Sequence, residues 1–423
     1  MAEYNDDNIT TLEWDEHIRT RPGMYIGKLG DGSAHDDGIY VLFKEVLDNC
    51  IDEFMQGFGK TIEISIKENK VSIRDYGRGI PLTKVVDCVS KMNTGGKFKE
   101  GTAFDNSIGM NGVGVKAVNA LSTYFFVQSV RDGQKKAAEF SCGRLVEESD
   151  ITLCDERNGT LVSFIPDASI FENYQWYNDY IEKMIWNYAY LNRGLSIHLN
   201  SKRFVSKNGL LDLIHNNIGK DALYEPIHLE EGDFEFALVH TDRKYGEEYY
   251  SFVNSQYTTQ GGTHQQAFRE AIVKTFRDFY KKEFDPNDIR NSVVAALSIK
   301  VKEPIFESQT KTKLGSTYMR PDGPTIRNYI NDVVSKLLDK FLHIHPDIAE
   351  SILKKIQESE KERKEIAGIK KQSKETQKKV SLNNRKLRDC RFHFNTNDAR
   401  GVETTIFITE GDSASGSITT SRD

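Results

Sequence analysis

Apolar residues Ile39, Leu42, Phe43, Val46, Leu47, Cys50, Ile51 and Phe54 recur at intervals of three and four, which predicts a helix over 39–54 lying on a core. Glu45, Asp48, Asn49 and Asp52 fall on its opposite face. Side chains four apart sit one above the other, so Glu45 and Asn49 can offer a base and a metal-binding amide to one ligand; the plain alternative is a solvated acidic face. Alternation then predicts a hairpin of 61–67 and 70–76, and further strands are expected at 124–130, 136–142 and 160–165, with a strand pair within 196–205. Helices are expected at 170–191 and 207–218, and Asp36 or Asp37 can cap the start of the first helix. A second unit begins near Tyr224. There 234–239 and 248–253 are expected to pair, 265–280 to form an amphipathic helix, 292–301 a buried strand, and 326–342 and 347–369 two more helices. The chain should loosen into polar linker after Lys371, and 403–409 reads as a last strand.

The breaks in this pattern carry the candidate chemistry. The strand ending at Asp75 runs into Gly77 and Gly79, followed by Ile80, where the backbone can pass close to a ligand and the carboxylate can read a donor such as an adenine amine. An ordinary turn explains such a cluster equally well. Residues 92–123 are glycine-rich: Gly95-Gly96-Lys97, then Gly109, Gly112-Val113-Gly114 and Val115, with helical spacing over 115–121. A glycine loop opening a helix is a phosphate cradle. It is not a P-loop, because Gly114 is followed by Val115-Lys116 and no Gly-Lys-Ser/Thr occurs within this stretch, and the glycine spacing lacks the preceding strand of a dinucleotide fold. Thr160 follows Gly159, where its hydroxyl either meets a phosphate or caps a turn. Residues 303–314, with Gln309 and Lys311, form a polar loop with potential phosphate donors. Glu410, at the tip of the last expected strand, suits divalent metal or acid–base work.

With 423 residues, 38% of them hydrophobic and 28% charged, the chain suits two or three globular domains. No apolar run approaches a membrane span, the polar start is no signal peptide, and five widely spaced cysteines read as reduced thiols, so a cytoplasmic protein is expected. Between 351 and 391 lie 14 Lys or Arg against 6 Asp or Glu, a local +8 in a chain of net −6. That segment is either a polyanion contact or a solvated helix.

Taken in order, Glu45 and Asn49, Asp75-x-Gly77-x-Gly79, Gly109-x-x-Gly112-x-Gly114 and Gly159-Thr160 resemble the four nucleotide motifs of the GHKL ATPases. The strings at 21–27 (RPGMYIG), 111–122 (NGVGVKAVNALS), 261–264 (GGTH), 308–314 (SQTKTKL) and 410–414 (EGDSA) resemble the B subunits of bacterial type IIA DNA topoisomerases, over essentially the whole chain. The resemblance implies an α+β chain: a GHKL ATPase α/β sandwich with an N-terminal dimerisation arm at 1–220, a ribosomal-S5-like transducer domain at 221–390, and the start of a Toprim domain at 391–423, so the chain is read as an N-terminal piece.

It further implies ATP and Mg²⁺ as cofactors, Glu45 as the base, Asn49 as the Mg²⁺ ligand, and Asp75 on the adenine, supported by Thr160. Gly77, Gly79, Ile80, Lys97, Gly109, Gly112, Val113, Gly114 and Val115 would complete the nucleotide site. Gln309 and Lys311 would reach the γ-phosphate, Tyr4 would cross to a partner protomer, and Glu410 would belong to an incomplete Toprim metal site. DNA, a second copy on ATP binding and an A-type subunit are the implied partners. Val41, Asn111 and Tyr76 depart from the gyrase pattern and tilt the resemblance toward the topoisomerase IV branch. The competing reading is a nucleotide-switched clamp like the mismatch-repair or chaperone relatives.

Overall fold

In the computed structural model the described residues are 11–96, 108, 112–242, 245–308, 310–383, 392–394, 397, 399–410, 416 and 418, without the side chains of 371, 373 and 375–383. Two short helices, α1 (Trp14–Thr20) and α2 (Gly23–Ile26), precede α3 (Gly38–Met55), the helix that the threefold and fourfold spacing predicts. Its stripe from Ile39 to Ile51 is buried, as the period requires. Asp37 occupies the N-cap position but caps nothing; its carboxylate accepts from the amides of Gly32 and Ala34 instead.

The expected hairpin forms from β1 (Thr61–Lys67) and β2 (Lys70–Asp75), paired antiparallel from Ile62 with Asp75 to Lys67 with Lys70. After α4 (Val85–Ser90) and α5 (Gly114–Ala120) come β3 (Ser122–Arg131), β4 (Gln134–Ser141), β5 (Arg144–Glu148), β6 (Thr152–Leu153) and β7 (Gly159–Pro166). Then follow α6 (Asn178–Leu191), β8 (Ser196–Leu199), β9 (Lys202–Phe204) and α7 (Leu210–Ile218). These strands build one sheet in the order β5-β4-β3-β7-β2-β1-β8-β9, with β6 on β4; β1 and β8 run parallel. The order brings the ends of β2 and β7 together beneath α3, which packs on β2 and β7. The helix expected over 170–191 starts only at Asn178, because Tyr174 and Trp176 leave helical phase to pack edge-on, Trp176 against Tyr40 of α3.

The second sheet comprises β10 (Ile227–Glu231), β11 (Phe234–His240), β12 (Glu247–Val253), β13 (Gln256–Tyr257) and β14 (Val293–Ile299). Its helices are α8 (Thr263–Tyr280), α9 (Pro286–Arg290), α10 (Ile326–Ile344) and α11 (Pro346–Asn383). Strands β11 and β12 do not pair with each other as expected. The order is β10-β11-β14-β12-β13, with β14 antiparallel to β11 and parallel to β12. The sequence VVAALSI explains the insertion: it is apolar on both faces, and only a central strand buries both. One face packs on α8 and α10, and the other, through Ala237, Val239, Phe252, Val294 and Ala296, on α7 and Tyr190.

The chain divides into a unit of Met1–Glu360 and a unit of Lys361–Asp423. Helix α11 continues past Lys371, where linker was expected, as far as Asn383. In the second unit, residues 399–403 form a 3₁₀ turn and 404–409 no strand, contrary to expectation. Ile406, Phe407 and Ile408 stand exposed there, and an isolated segment with no ladder partner among the described residues gains nothing from extended pairing. Among the described residues no helix is long and apolar enough to cross a membrane, and Cys50, Cys88, Cys142 and Cys154 are free thiols.

Candidate active site

A cavity of about 700 Å³ opens between α3, the ends of β2 and β7, the start of α5 and the loop after β14. It gathers Glu45, Asn49, Asp75, Gly79, Ile80, Gly112, Val113, Gly114, Val115, Thr160 and Lys311, which are far apart in sequence. Gly77 stands just behind the wall, its backbone against Glu53. Tyr4, Lys97, Gly109 and Gln309 lie outside the described residues. Glu410 is exposed in the other unit.

Asp75 closes the sheet end of the cavity. Its Oδ1 accepts the amides of Gly77 at 2.8 Å and Thr160 at 3.2 Å, so β2 and β7 fix it from both sides. Burial pushes its carboxyl up to about 6 although both amide bonds oppose the shift. The two glycines around this strand end are steric requirements. A Cβ on Gly79, whose φ is +76°, would meet the Val130 carbonyl at 2.5 Å, and one on Gly159 would meet the Asp75 carbonyl at 2.2 Å.

The helical end is built differently. Glu45 and Asn49 sit one turn apart on α3, and Asn49 Nδ2 donates to the Glu45 carbonyl at 2.8 Å, which leaves the amide oxygen for a ligand. The Glu45 carboxylate lies against Gly114, where α5 begins; a Cβ there would fall 1.7 Å from Glu45 Oε2. Gly114 is therefore glycine because the carboxylate occupies the space of a side chain. Lys311 enters from the second sheet's loop, and its Nζ donates to the Ile108 carbonyl at 3.2 Å.

Several residues escape the sequence reading. Asp48 and Asp52, expected on a solvated face, are buried: Asp48 bonds Lys44, Tyr188 and Gln256, and Asp52 accepts the Ile108 amide at 2.6 Å. The helix is covered on that face too, by α6, the second sheet and Ile108. Glu53 and Arg78 pair at 2.9 Å along the cavity wall, with Glu53 also accepting the Arg78 amide, and Arg78 lies over the Phe58 ring. The i, i+4 phase of Glu45, Asn49 and Glu53 was a signal that could have found this pair. Lys116, buried at the start of α5, donates to the Thr94 carbonyl at 2.8 Å.

Two family models divide the chain between them. One described as Histidine kinase-, DNA gyrase B-, and HSP90-like ATPase matches residues 34–167, and one described as DNA gyrase B matches 202–374. The B subunit of DNA topoisomerase 4 from Borreliella burgdorferi is 48% identical over 421 residues, covering 99% of this chain and 69% of the relative. The chain belongs to the type IIA DNA topoisomerase B subunits. The B subunit of DNA gyrase from Streptococcus pyogenes is 34% identical over 458 residues, covering all of this chain and 67% of that relative. The higher identity to the topoisomerase 4 relative agrees with the tilt drawn from Val41, Asn111 and Tyr76. Among solved structures, the 43K ATPase domain of Thermus thermophilus gyrase B in complex with an aminocoumarin aligns at a TM-score of 0.65 with 27% identity, over 84% of this chain and 97% of that one. The topoisomerase IV ATP-binding domain of Francisella tularensis aligns at 0.64 with 25% identity, over 82% and 97%. As a member of this family the chain is a topoisomerase component with an ATP-binding GHKL domain followed by a gyrase-B-type region, and the free-standing clamp reading is set aside.

Proposed function

We propose that this type IIA topoisomerase component binds ATP with Mg²⁺ in the cavity described and hydrolyses it to drive passage of one DNA segment through another. The observation that carries the reading is the contact of the Glu45 carboxylate with Gly114, which sets a base against a phosphate cradle in the same cavity as Asp75. Asp75 keeps an oxygen for the adenine amine, with Gly77, Gly79, Ile80 and Thr160 shaping that end. Glu45 orients and deprotonates the attacking water. The 109–115 stretch and Lys97 offer N–H and ammonium donors to the phosphates, while Gln309 and Lys311 approach the γ-phosphate from the second domain. Residues present fit the metal: the Asn49 amide oxygen is left free by its own backbone bond. Mg²⁺, when bound, supplies charge neutralisation on the phosphate oxygens.

Closure would recruit a second copy, with Tyr4 crossing to the partner protomer, and an A-type subunit would complete the machine in the cytoplasm. Domain limits at 1–220, 221–390 and 391–423 fit this division of labour, with Glu410 serving a Toprim metal site. The basic stretch 354–379 on α11, whose residues 361–370 are all exposed, is the proposed DNA contact. The deciding experiment is ATP turnover by Glu45→Gln: a fall of about 100-fold with ADP binding kept is expected, the size of a lost general base. Full turnover in that variant would remove Glu45 from the role.

A further inference from the structure

Asp48 lies between Glu45 and Asn49 on α3, yet it is fully buried and its bonds lead away from the cavity. Lys44, one turn back, donates to its Oδ2 at 3.0 Å. Its Oδ1 takes the Tyr188 hydroxyl of α6 and, at 3.1 Å, Nε2 of Gln256 in β13. Burial pulls the carboxyl up, but the charges of Lys44 and Lys311, with the Tyr188 bond, outweigh it and hold Asp48 below the usual range. Gln256 and Lys311 both belong to the second domain.

The presentation of Gln256 is itself built. Asn254 and Ser255 have φ of 48° and 62°, the left-handed pair of a tight two-residue hairpin joining β12 to β13. Ser255 Oγ meets Met55 Sδ at the end of α3 at 3.8 Å, so the hairpin seats on the helix at two points. Gln256 is buried, and its Oε1 has no hydrogen-bond partner among the described residues. A second thread runs beside this one: Lys311 donates to the Ile108 carbonyl, and the Ile108 amide donates to Asp52. Two acidic residues of α3 are thus tied to the second domain, one directly and one through Ile108. Undocking that domain takes from Asp48 one hydrogen bond and one of its two cations together.

We propose that Asp48 is the positioning residue through which the docked second domain holds α3, and with it Glu45 and Asn49, in the arrangement that hydrolyses ATP. Asp48, Tyr188 and Gln256 lie outside the cavity lining, so the joint they form differs from any contact of Lys311 with phosphate. The turnover half of the test rests on the function proposed above; the exchange half does not.

Asp48→Asn, Gln256→Leu and the double variant are compared with wild type in the whole chain. Hydrogen exchange without nucleotide should speed about tenfold over 303–316 in each single variant, the scale of a lost hydrogen bond to a charge, and stay unchanged in the β1–β2 hairpin. The kcat for ATP should fall while KM changes less than about twofold, and the double variant should be no worse than the worse single one. Unchanged exchange over 303–316 in folded Asp48→Asn overturns the proposal, as do single losses that multiply in the double. If Asp48→Asn does not fold, Gln256→Leu decides from the far side by the same exchange readout. Full turnover in Glu45→Gln would instead defeat the proposed chemistry, with the joint still decided by exchange.

Discussion

The two ends of the cavity are held by different means. At the sheet end, Asp75 is fixed by backbone amides of β2 and β7, and the glycines around it admit no side chain. At the helix end, Glu45 sits on α3 against Gly114, and the neighbouring acids lean on Lys311 and Gln256 from another sheet. The first end is rigid because a ladder of strands defines it. The second is assembled from side chains that come from α3, from the start of α5 and from the second sheet's hairpin and loop. On the proposed function, recognition of a nucleotide and reaction of its phosphate would be mechanically distinct, and substitutions should divide along that line.

The largest effect is expected from Gly114→Ala. A Cβ that would overlap Glu45 Oε2 must displace the carboxylate, so ATP turnover should drop about 100-fold while ADP affinity, measured by calorimetry, moves only a few-fold. Comparable losses of both would break the division between the ends.

Asp75→Ala should do the reverse, weakening ADP binding by about tenfold or more through a lost hydrogen bond to a charge. The same carboxylate gives a pH signature. Its folded value of about 6 lies above the ordinary 3.8, so its contribution to stability without nucleotide is full below 3.8 and lost as pH rises through about 6. That swing amounts to about 3 kcal/mol, and Asp75→Asn should abolish it in thermal melts taken across this window. Nucleotide affinity should run the other way, falling as pH drops below about 6 and the acceptor takes a proton.

A smaller effect is expected at the wall shared by both ends. Glu53→Gln weakens the pair with Arg78, which is partly exposed, and should cost about 1 kcal/mol in denaturant melts. Smallest of all, Leu153→Ser on the exposed strand β6 should change stability by less than about 0.5 kcal/mol and leave ATP turnover alone.

The same contrast explains which features are legible in the amino-acid sequence. Periodicity locates α3, the β1–β2 hairpin and β14 almost to the residue, because each buries a regular face. The cavity residues on glycine breaks are legible for a related reason: Gly79 and Gly114 are needed where backbone and carboxylate crowd together. Asp48 and Asp52 defy the expectation of a solvated face because their cover comes from Tyr188, Gln256 and Ile108, all remote in sequence, and a carboxylate looks the same whether water or a buried donor meets it. The pairing of β11 with β12 fails for want of any local sign that a strand forty residues on would come between them. Residues 403–409 have the β-branched and aromatic composition of a strand, but composition alone does not pair a strand, and pairing needs a neighbour.

The central place of β14 also governs how the chain must be made. During synthesis β11 and β12 emerge first with the edges that will flank β14 bare, and only after about residue 300 has left the ribosome can one insertion close both. Until then the nascent second sheet is two sticky ribbons on a finished first domain, so a stall or truncation between 254 and 292 should yield aggregates and not a smaller soluble protein.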